Sequence, residues 1–151
     1  MTLTKIKTNK RIAKPSDFEN IAVLLKSSNL TTIGVKENIE NFVILIYQKQ
    51  IVGVAGYEVY GDKALLRSVA VEKRVQGNGF AKSLVKELIS IINKGRLSDV
   101  YLLTETAPDF FRSFGFKEVS RDVVDEGIKS SEEFRSICPS TAICMKMSIK
   151  K

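Results

Sequence analysis

The sequence predicts one α/β (α+β) domain with a mixed, mostly antiparallel sheet, and three observations predict it. The chain has 151 residues, of which 44% are hydrophobic and 27% charged, as in a single globular domain of ordinary size. Apolar runs of strand length alternate with stretches of helical period. One strand, helix and strand form a crossover unit, whereas other strands are joined by short turns. We expect residues 1–151 to form one domain.

The first part of the chain is predicted to form a short strand, a helix and two longer strands. Pro and Ser begin a helix over residues 15–26, whose apolar side chains fall on one face. A shorter helical segment at 36–40 leads into strands over 42–47 and 51–60. A short turn between these two strands makes them antiparallel.

A two-residue turn at Gly61-Asp62 is predicted to join the third strand to a fourth over residues 64–71. Glycine at the first central position suits a type II′ turn, and such a turn fixes the register of the hairpin. In that register four polar side chains share one face of the sheet and are candidates for a functional site: Glu58, Tyr60, Lys63 and Arg67.

The middle of the chain is predicted to form a right-handed crossover. A helix over 77–92 carries apolar residues along one stripe, and a fifth strand over 100–104 follows it. The strands on either side of such a helix are parallel, and ligands of these units bind at the carboxyl edge of the strands.

The last part of the chain is predicted to form short helices and strands. A short helix after residue 107 has Thr106 as its expected cap, and Gly115 ends it. A sixth strand begins at Phe116, residues 123–133 have a polar helical pattern, and residues 141–149 alternate as a final strand.

Composition excludes several kinds of site. There is no histidine, which excludes a Ser-His-Asp relay and any His-based metal site. Cys138 and Cys144 match neither a disulfide framework nor a zinc-ligand pair, and we expect both to be small hydrophobic residues without a metal. The start of the chain lacks the apolar run of a signal peptide, and no segment is long enough to cross a bilayer. These features predict a cytoplasmic protein without membrane contact.

The net charge of +7 is compatible with nucleic acid, a membrane surface or a polyanionic small molecule. One basic cluster stands out, formed by Lys73, Arg74 and Lys82 around a Gly-rich turn. No basic recognition helix or aromatic–basic ribbon is present, so nucleic acid ranks last as a partner.

This Gly-rich turn, between the fourth strand and the crossover helix, is suited to phosphate. Glycine lets the backbone approach a ligand, and the first N–H groups of a helix are anion donors. Lys82 occupies the third glycine position of a dinucleotide fingerprint, and the spacing and ending of a P-loop are absent. What remains is Gln76-x-x-Gly79-x-Ala81 after a Val-rich strand.

This motif resembles the acetyl-coenzyme-A-binding motif of the GNAT acyltransferases. The order of elements is similar to that fold over essentially the whole chain, as is the Phe110-Phe-Arg-Ser-Phe-Gly-Phe116 segment. The resemblance implies a sheet of six to seven strands with helices on both faces. It also implies acetyl-CoA as co-substrate, held at its pantetheine arm and pyrophosphate by Val69, Ala70, Val71, Gln76, Gly77, Asn78, Gly79, Phe80, Ala81 and Lys82.

Finer similarities suggest the acceptor. Residues 53–62, 65–71 and 138–145 resemble the second arsenic-resistance N-acetyltransferase group, and residues 102–111 resemble the acetyltransferase domain of N-acetylglutamate synthases. The expected reaction is direct transfer of the acetyl group to the amine of a small, amino-acid-like acceptor.

This chemistry needs a proton acceptor and a donor to the oxyanion. Glu58 is our first choice as base, and an ion pair with Arg67 is the alternative role for its carboxylate. The resemblance implies that a backbone N–H near Val69 meets the oxyanion. Arg67 suits a substrate carboxylate through its planar fork, Lys63 is the alternative cation, and Thr104 is a candidate polar contact to pantetheine or acceptor.

One residue departs from the family pattern. The tyrosine that protonates the leaving thiolate in the family is replaced by Phe111. A thiol has a reference pKa of about 8.5, so it can leave as the anion. Phe111 keeps open a non-catalytic acyl-CoA sensor. A protein N-acetyltransferase also stays open, because acceptor specificity lies in loops that the sequence does not define. The resemblance also implies an edge for a homodimer at residues 141–149.

Overall fold

The structure is a computed structural model that describes residues 7–137 and 142–149. Within these residues seven strands form one mixed sheet, which agrees with the six to seven expected. Their bounds are β1 Asn9–Ile12, β2 Phe42–Tyr47, β3 Gln50–Tyr60, β4 Lys63–Val71, β5 Asp99–Thr104, β6 Lys117–Glu118 and β7 Ile143–Ser148. The strand order across the sheet is β1-β2-β3-β4-β5-β7-β6.

The α-helices are shorter and more broken than the sequence pattern predicts. They are α1 Phe18–Ser27, α2 Phe80–Asn93, α3 Pro108–Arg112 and α4 Glu126–Lys129. Short 3-10 turns occupy Pro15–Asp17, Lys36–Asn41, Lys73–Val75 and Arg121–Val123, and a π-helical turn spans Glu133–Ile137. No helix in the described part of the chain combines the length and apolar character needed to cross a bilayer.

The chain divides into two compact units. The first comprises residues up to Gly56 together with Ser68–Leu88, and the second comprises Tyr57–Arg67 together with residues from Ile89 onward. Both β3 and β4 contribute residues to each unit.

In the first unit, Asp17 fixes the start of α1. Its carboxylate accepts hydrogen bonds from the Lys14 backbone N–H (2.7 Å) and from the Arg11 guanidinium (2.7 and 3.0 Å). The bonds from Arg11 hold the pKa of this carboxyl below its usual range. The predicted helix over 15–26 is therefore confirmed, with a 3-10 first turn preceding the α-helix.

The first unit has its own apolar core. β1 pairs with β2 and β2 pairs with β3, both antiparallel, as expected for consecutive strands. A bulge near Leu45 adds one residue to β3. The buried side chains come from α1, the sheet and the segment between them: Ala13, Ile21, Leu24, Leu25, Val35, Ile39, Phe42, Ile44, Val54 and Ala70.

Gly56 provides a test of this core. A Cβ atom at Gly56 would lie 2.4–2.6 Å from ring atoms of the buried Phe42, so the ring must move in a packed interior. We expect Gly56→Ala to lower the free energy of unfolding by about 1–3 kcal/mol, as overpacking does, measured by urea denaturation. Gly95→Ala is the control, because its Cβ would lie 3.4 Å from the nearest neighbouring atom, the Ile92 carbonyl oxygen. An unchanged midpoint for Gly56→Ala would contradict the close contact.

In the second unit, β4 and β5 pair in parallel, with Lys63–Leu65 opposite Asp99–Tyr101, which confirms the parallel pairing predicted for the crossover. β7 pairs antiparallel with β5 along its length and with β6 at Met145 and Lys146. The core of this unit is formed by Leu65, Tyr101, Val124, Ile128 and Cys144.

Cys144 is buried in this core, as the sequence predicts for a small hydrophobic residue. Burial raises the pKa of its thiol to about 11, which makes the thiolate scarce at neutral pH. Cys138, like the first residue of the predicted strand 141–149, lies outside the described residues.

The single helix predicted over 123–133 is wrong. Val124 and Asp125 are extended (ψ 142° and 139°) and separate the 3-10 turn from α4. The Asp125 side chain accepts a hydrogen bond from the Gly127 N–H (3.0 Å) and so starts a new helix. A local cap therefore overrides the helical period of the sequence.

Candidate active site

The Gly-rich turn after β4 is held by its own hydrogen bonds. The Gln76 side chain donates to the Val71 carbonyl (2.9 Å), so it ties the turn to the end of the strand. Asn78 donates to the Val75 carbonyl (2.8 Å). Two of the predicted cofactor residues thus shape the backbone with their side chains, which leaves main-chain groups as the means of contact with a ligand.

Gly77 and Gly79 have φ angles of +85° and +77°, which residues other than glycine adopt only with strain. A Cβ atom at either would meet nothing within 4 Å, so conformation and not crowding requires glycine. The open face above the turn leaves room for a ligand group to approach the backbone.

These glycines also move the start of the helix. The sequence predicts a helix from residue 77, whereas α2 begins at Phe80, and Ser83 N–H to the Gly79 carbonyl (3.0 Å) closes its first turn. The left-handed glycines cannot belong to a right-handed helix. N–H groups of a first turn have no partner inside the helix and attract anions. The turn therefore fits a pyrophosphate group.

The three basic residues around the turn are exposed, but they differ in their contacts with the rest of the protein. Arg74 forms an ion pair with Glu72, donates to Gln50 Oε1 (2.8 Å) and lies 5.8 Å from the Tyr47 ring centroid. Lys73 and Lys82 are exposed. Since Arg74 has protein partners, these two lysines are the better-suited cations for an approaching phosphate.

The residues expected to line the pantetheine arm follow an irregularity in β4. Ser68 has a φ of +61°, unusual for a residue with a side chain and costing about 1–3 kcal/mol. The side chains from Ala64 to Ser68 are all buried, and Val69 after them is half-buried. The backbone is therefore strained between Arg67 and Val69, the two residues expected to act on the substrates.

Within the second unit, four side chains form a buried polar group that we call the Arg67 cluster. The Glu58 carboxylate accepts hydrogen bonds from the Tyr60 hydroxyl and from the Arg67 guanidinium. The guanidinium also faces Glu133, whose Oε1 lies 4.0 Å from the Arg67 Nε. The sequence groups Glu58, Tyr60 and Arg67 correctly, but its pattern does not indicate Glu133. The alternative interpretation of Glu58 as an ion-pair partner describes the contact that the structure forms.

Burial dominates the electrostatics of the Arg67 cluster. It raises the pKa of Glu133 to about 7, and the Arg67 cation opposes this effect while the Glu58 charge reinforces it. Burial and the bond to Glu58 raise the pKa of the Tyr60 phenol above its usual range. Tyr60 therefore stays a protonated donor, and the carboxyl group of Glu133 changes charge near neutral pH.

The raised pKa of Glu133 predicts a pH-dependent stability. The folded protein keeps this proton between the ordinary glutamate pKa of 4.5 and about 7, so the stabilisation is complete below the lower value and is lost as the pH rises through the upper one. The slope for one group is at most about 1.4 kcal/mol per pH unit. Urea denaturation from pH 4.5 to 8 should show this slope in the wild type and not in Glu133→Gln; equal slopes would contradict it.

Lys63 is not part of the Arg67 cluster. The predicted two-residue turn is confirmed, with a φ of +63° at Gly61, but the Lys63 ammonium contacts Asp99 (2.7 Å), Ser98 (2.8 Å) and Asp62 (3.5 Å). The bond to Asp99 raises the pKa of Lys63. The charge of Lys63 is thus matched at the turn by Asp99 and Asp62.

Thr104 closes the loop after β5. Its hydroxyl accepts a hydrogen bond from the Ala107 N–H (3.1 Å), and α3 begins after Ala107. The expectation that Thr106 caps this helix is therefore wrong, because the threonine at the strand end binds the loop instead.

Phe111 belongs to an aromatic cluster. Its ring meets Phe110 edge to face (5.0 Å between centroids) and Phe116 likewise (6.0 Å), and it is buried. Such contacts stabilise packing, so Phe111 has a structural role. It also lacks the hydroxyl group of the family's tyrosine.

The described residues include no cluster of three or more His, Cys, Asp or Glu side chains that could hold a metal ion. That no metal takes part stays a prediction from the sequence.

Known proteins share this fold. A family model described as the acetyltransferase (GNAT) domain matches residues 17–132. The uncharacterized protein YwlB of Bacillus subtilis (strain 168) is 28% identical over 128 residues, which cover 82% of this chain and 85% of that protein. These matches extend over most of the chain.

Two solved structures are similar over nearly the whole chain. N-acetylglutamate synthase of Neisseria gonorrhoeae, complexed with coenzyme A and N-acetyl-glutamate, has a TM-score of 0.83 at 17% identity and matches 98% of this chain. Only 36% of the synthase chain is covered, so this chain spans about a third of its length. Rv2747 of Mycobacterium tuberculosis, in complex with CoA, has a TM-score of 0.77 at 22% identity over 94% of this chain and 99% of that chain. The expected fold class is confirmed.

Proposed function

The chain belongs to the acetyltransferase (GNAT) domain family, and from this premise we propose that it transfers the acetyl group of acetyl-CoA directly to the amine of a small, amino-acid-like acceptor. Family membership makes it an acetyl-CoA-dependent acyltransferase, as expected from the sequence. The open turn with two left-handed glycines at the start of α2 is the observation that carries this proposal.

The turn supplies the groups that would hold coenzyme A. Main-chain N–H groups from Gly77 to Lys82 would bind the pyrophosphate, with Gln76 and Asn78 fixing the backbone and the exposed lysines adding positive charge. The backbone from Val69 to Val71 would pair with the pantetheine arm, as the family resemblance implies. Acetyl-CoA supplies an activated thioester carbonyl when bound.

The Arg67 cluster supports an acceptor that carries a carboxylate. A guanidinium binds a carboxylate through two parallel hydrogen bonds, and the Glu58 carboxylate, which also accepts from Tyr60, holds the Arg67 guanidinium in one orientation. The N-acetylglutamate synthase match and the likeness of residues 102–111 to that enzyme group point the same way. In this proposal the N–H near Val69 stabilises the oxyanion, Thr104 contributes a polar contact, and Lys63 remains the alternative cation.

A thiol-release assay tests the proposal. Acetyl-CoA would be mixed with the protein and with single amino acids, glutamate analogues, polyamines or peptides in turn. We expect release with at least one amino acid that has a free carboxylate, and none with the matching amino-acid amide. Release with peptides alone would favour a protein N-acetyltransferase. Tight coenzyme A binding without release on any amine would favour a sensor, the alternative that Phe111 keeps open.

The remaining expectations stay predictions. They comprise a single domain over residues 1–151, a cytoplasmic location, the finer likeness to the arsenic-resistance group and the absence of a nucleic-acid partner. A homodimer through residues 141–149 is also a prediction, although β6 already pairs with β7 at Met145 and Lys146.

A further inference from the structure

Glu133 is a buried carboxylate that the proposed function has not yet used. It lies on the π-helical turn Glu133–Ile137 with 9% of its surface exposed. Resting on the proposed acetyl transfer, and deepening it, we propose that Glu133 is a catalytic residue: its carboxylate receives the proton that the acceptor's ammonium group gives up before attack.

The two carboxylates of the Arg67 cluster are bound unequally. Glu58 accepts hydrogen bonds from both Tyr60 and Arg67, one on each carboxylate oxygen, so protein donors already occupy both oxygens. Glu133 has the Arg67 Nε at 4.0 Å, beyond hydrogen-bond distance. Among residues 7–137 and 142–149, no hydrogen bond to the Glu133 carboxylate is found. Glu133 is therefore the carboxylate with lone pairs available for a ligand.

The charge of the Arg67 cluster points to the kind of ligand. Two carboxylates and one guanidinium carry a net charge of −1 when all are ionised, and buried net charge is costly. A proton on Glu133 or a cation beside it removes this cost. An amine acceptor arrives as an ammonium ion, so the same carboxylate is suited first to bind it and then to take its proton.

The proton step balances in atoms and charge. R–NH3⁺ and the Glu133 carboxylate become R–NH2 and the Glu133 carboxylic acid, and the nitrogen lone pair that is freed forms the new N–C bond. The C–S bond of the thioester breaks, and the leaving thiolate takes the second proton that the nitrogen loses, so the products are the amide and the free thiol. Glu133 returns the proton to water after the product leaves. A base works best when its pKa lies near the working pH, and burial brings that of Glu133 to about 7. The groups that face it are Arg67, Glu58 and Tyr60.

The test is the pH profile of kcat/KM between pH 5.5 and 9 for the wild type, Glu133→Gln, Glu133→Asp and Glu58→Gln. The wild type should lose activity about tenfold per pH unit below pH 7. Glu133→Gln should lower kcat by roughly 10²–10⁴-fold. It should also abolish the fall of kcat/KM below pH 7, which we call the acid limb. Glu133→Asp should keep the limb, because a carboxylate remains, and Glu58→Gln should keep it as well. Glu126→Gln is the matched control, since Glu126 is an exposed carboxylate on α4.

The outcomes separate this inference from the function on which it rests. If the wild type acetylates the amine but Glu133→Gln keeps the wild-type profile, or Glu58→Gln alone removes the limb, the role of Glu133 is overturned and the proposed function stands. If the wild type releases no thiol with any amine, both fall. Circular dichroism and coenzyme A titration establish folding of each variant. Should Glu133→Gln not fold, a retained acid limb in Glu133→Asp supports the proposal and loss of that limb overturns it.

Discussion

Replacing Arg67 with methionine should lower the free energy of unfolding by about 3–5 kcal/mol, the cost of leaving a buried ionic group without its partner. The Arg67 side chain has no exposed surface and faces Glu58 and Glu133. Methionine has a similar length but no charge, so two buried carboxylates would face each other. The measurement is urea denaturation at pH 8, above the raised pKa of Glu133.

Two further variants show whether charge causes this loss. Arg67→Met combined with Glu58→Gln and Glu133→Gln removes the whole ionic group, and we expect it to recover at least half of the lost stability, because neutral replacement of a buried ion pair is often tolerated. Arg74→Met removes an exposed ion pair with Glu72 and should change stability by less than about 1 kcal/mol. If Arg67→Met were as stable as Arg74→Met, the description of a buried, charged cluster would be wrong.

Replacing both Gly77 and Gly79 with alanine should weaken coenzyme A binding by roughly 30- to 1000-fold. Each alanine in a left-handed conformation is strained by about 1–2 kcal/mol, and about 1.4 kcal/mol corresponds to a tenfold change in affinity. The free protein escapes this strain by relaxing the turn, and a ligand that needs the original turn must restore it. Isothermal titration with coenzyme A measures the effect.

The control for this variant is Gly95→Ala, because Gly95 is not among the glycines with positive φ. The affinity of Gly95→Ala for coenzyme A should equal that of the wild type. Space is not the reason for the expected loss, since a Cβ at Gly77 or Gly79 meets no protein atom within 4 Å. Wild-type affinity in the double variant would show that coenzyme A does not depend on this turn.

Much of the fold can be predicted because local chemistry and tertiary structure agree. The apolar face of α1, the turn at Gly61-Asp62 and the parallel pairing of β4 with β5 follow from periodicity, glycine placement and crossover geometry. The turn before α2 is recognisable as suited to phosphate, but the predicted helix begins too early. Two left-handed glycines delay a helix that the apolar stripe alone would begin at residue 77.

The parts that cannot be predicted depend on contacts distant in sequence or on competing local bonds. Glu133 is brought to Arg67 by the folding of a segment whose pattern suggests one helix, and no periodicity signals a carboxylate turned inward from such a segment. Lys63 and Thr104 are expected at a substrate, but nearby partners at the turn and in the loop after β5 engage both. Short polar side chains often satisfy such local groups first.

The central claim, acetyl transfer to an amino-acid-like amine, is tested most directly by mass spectrometry of the acceptor after incubation with acetyl-CoA and the protein. We expect one acetyl group on the acceptor's nitrogen, formed in equal amount to the free thiol, and no product from the acceptor that lacks a carboxylate. An unmodified acceptor in every reaction, with acetyl-CoA bound and intact, would contradict the claim.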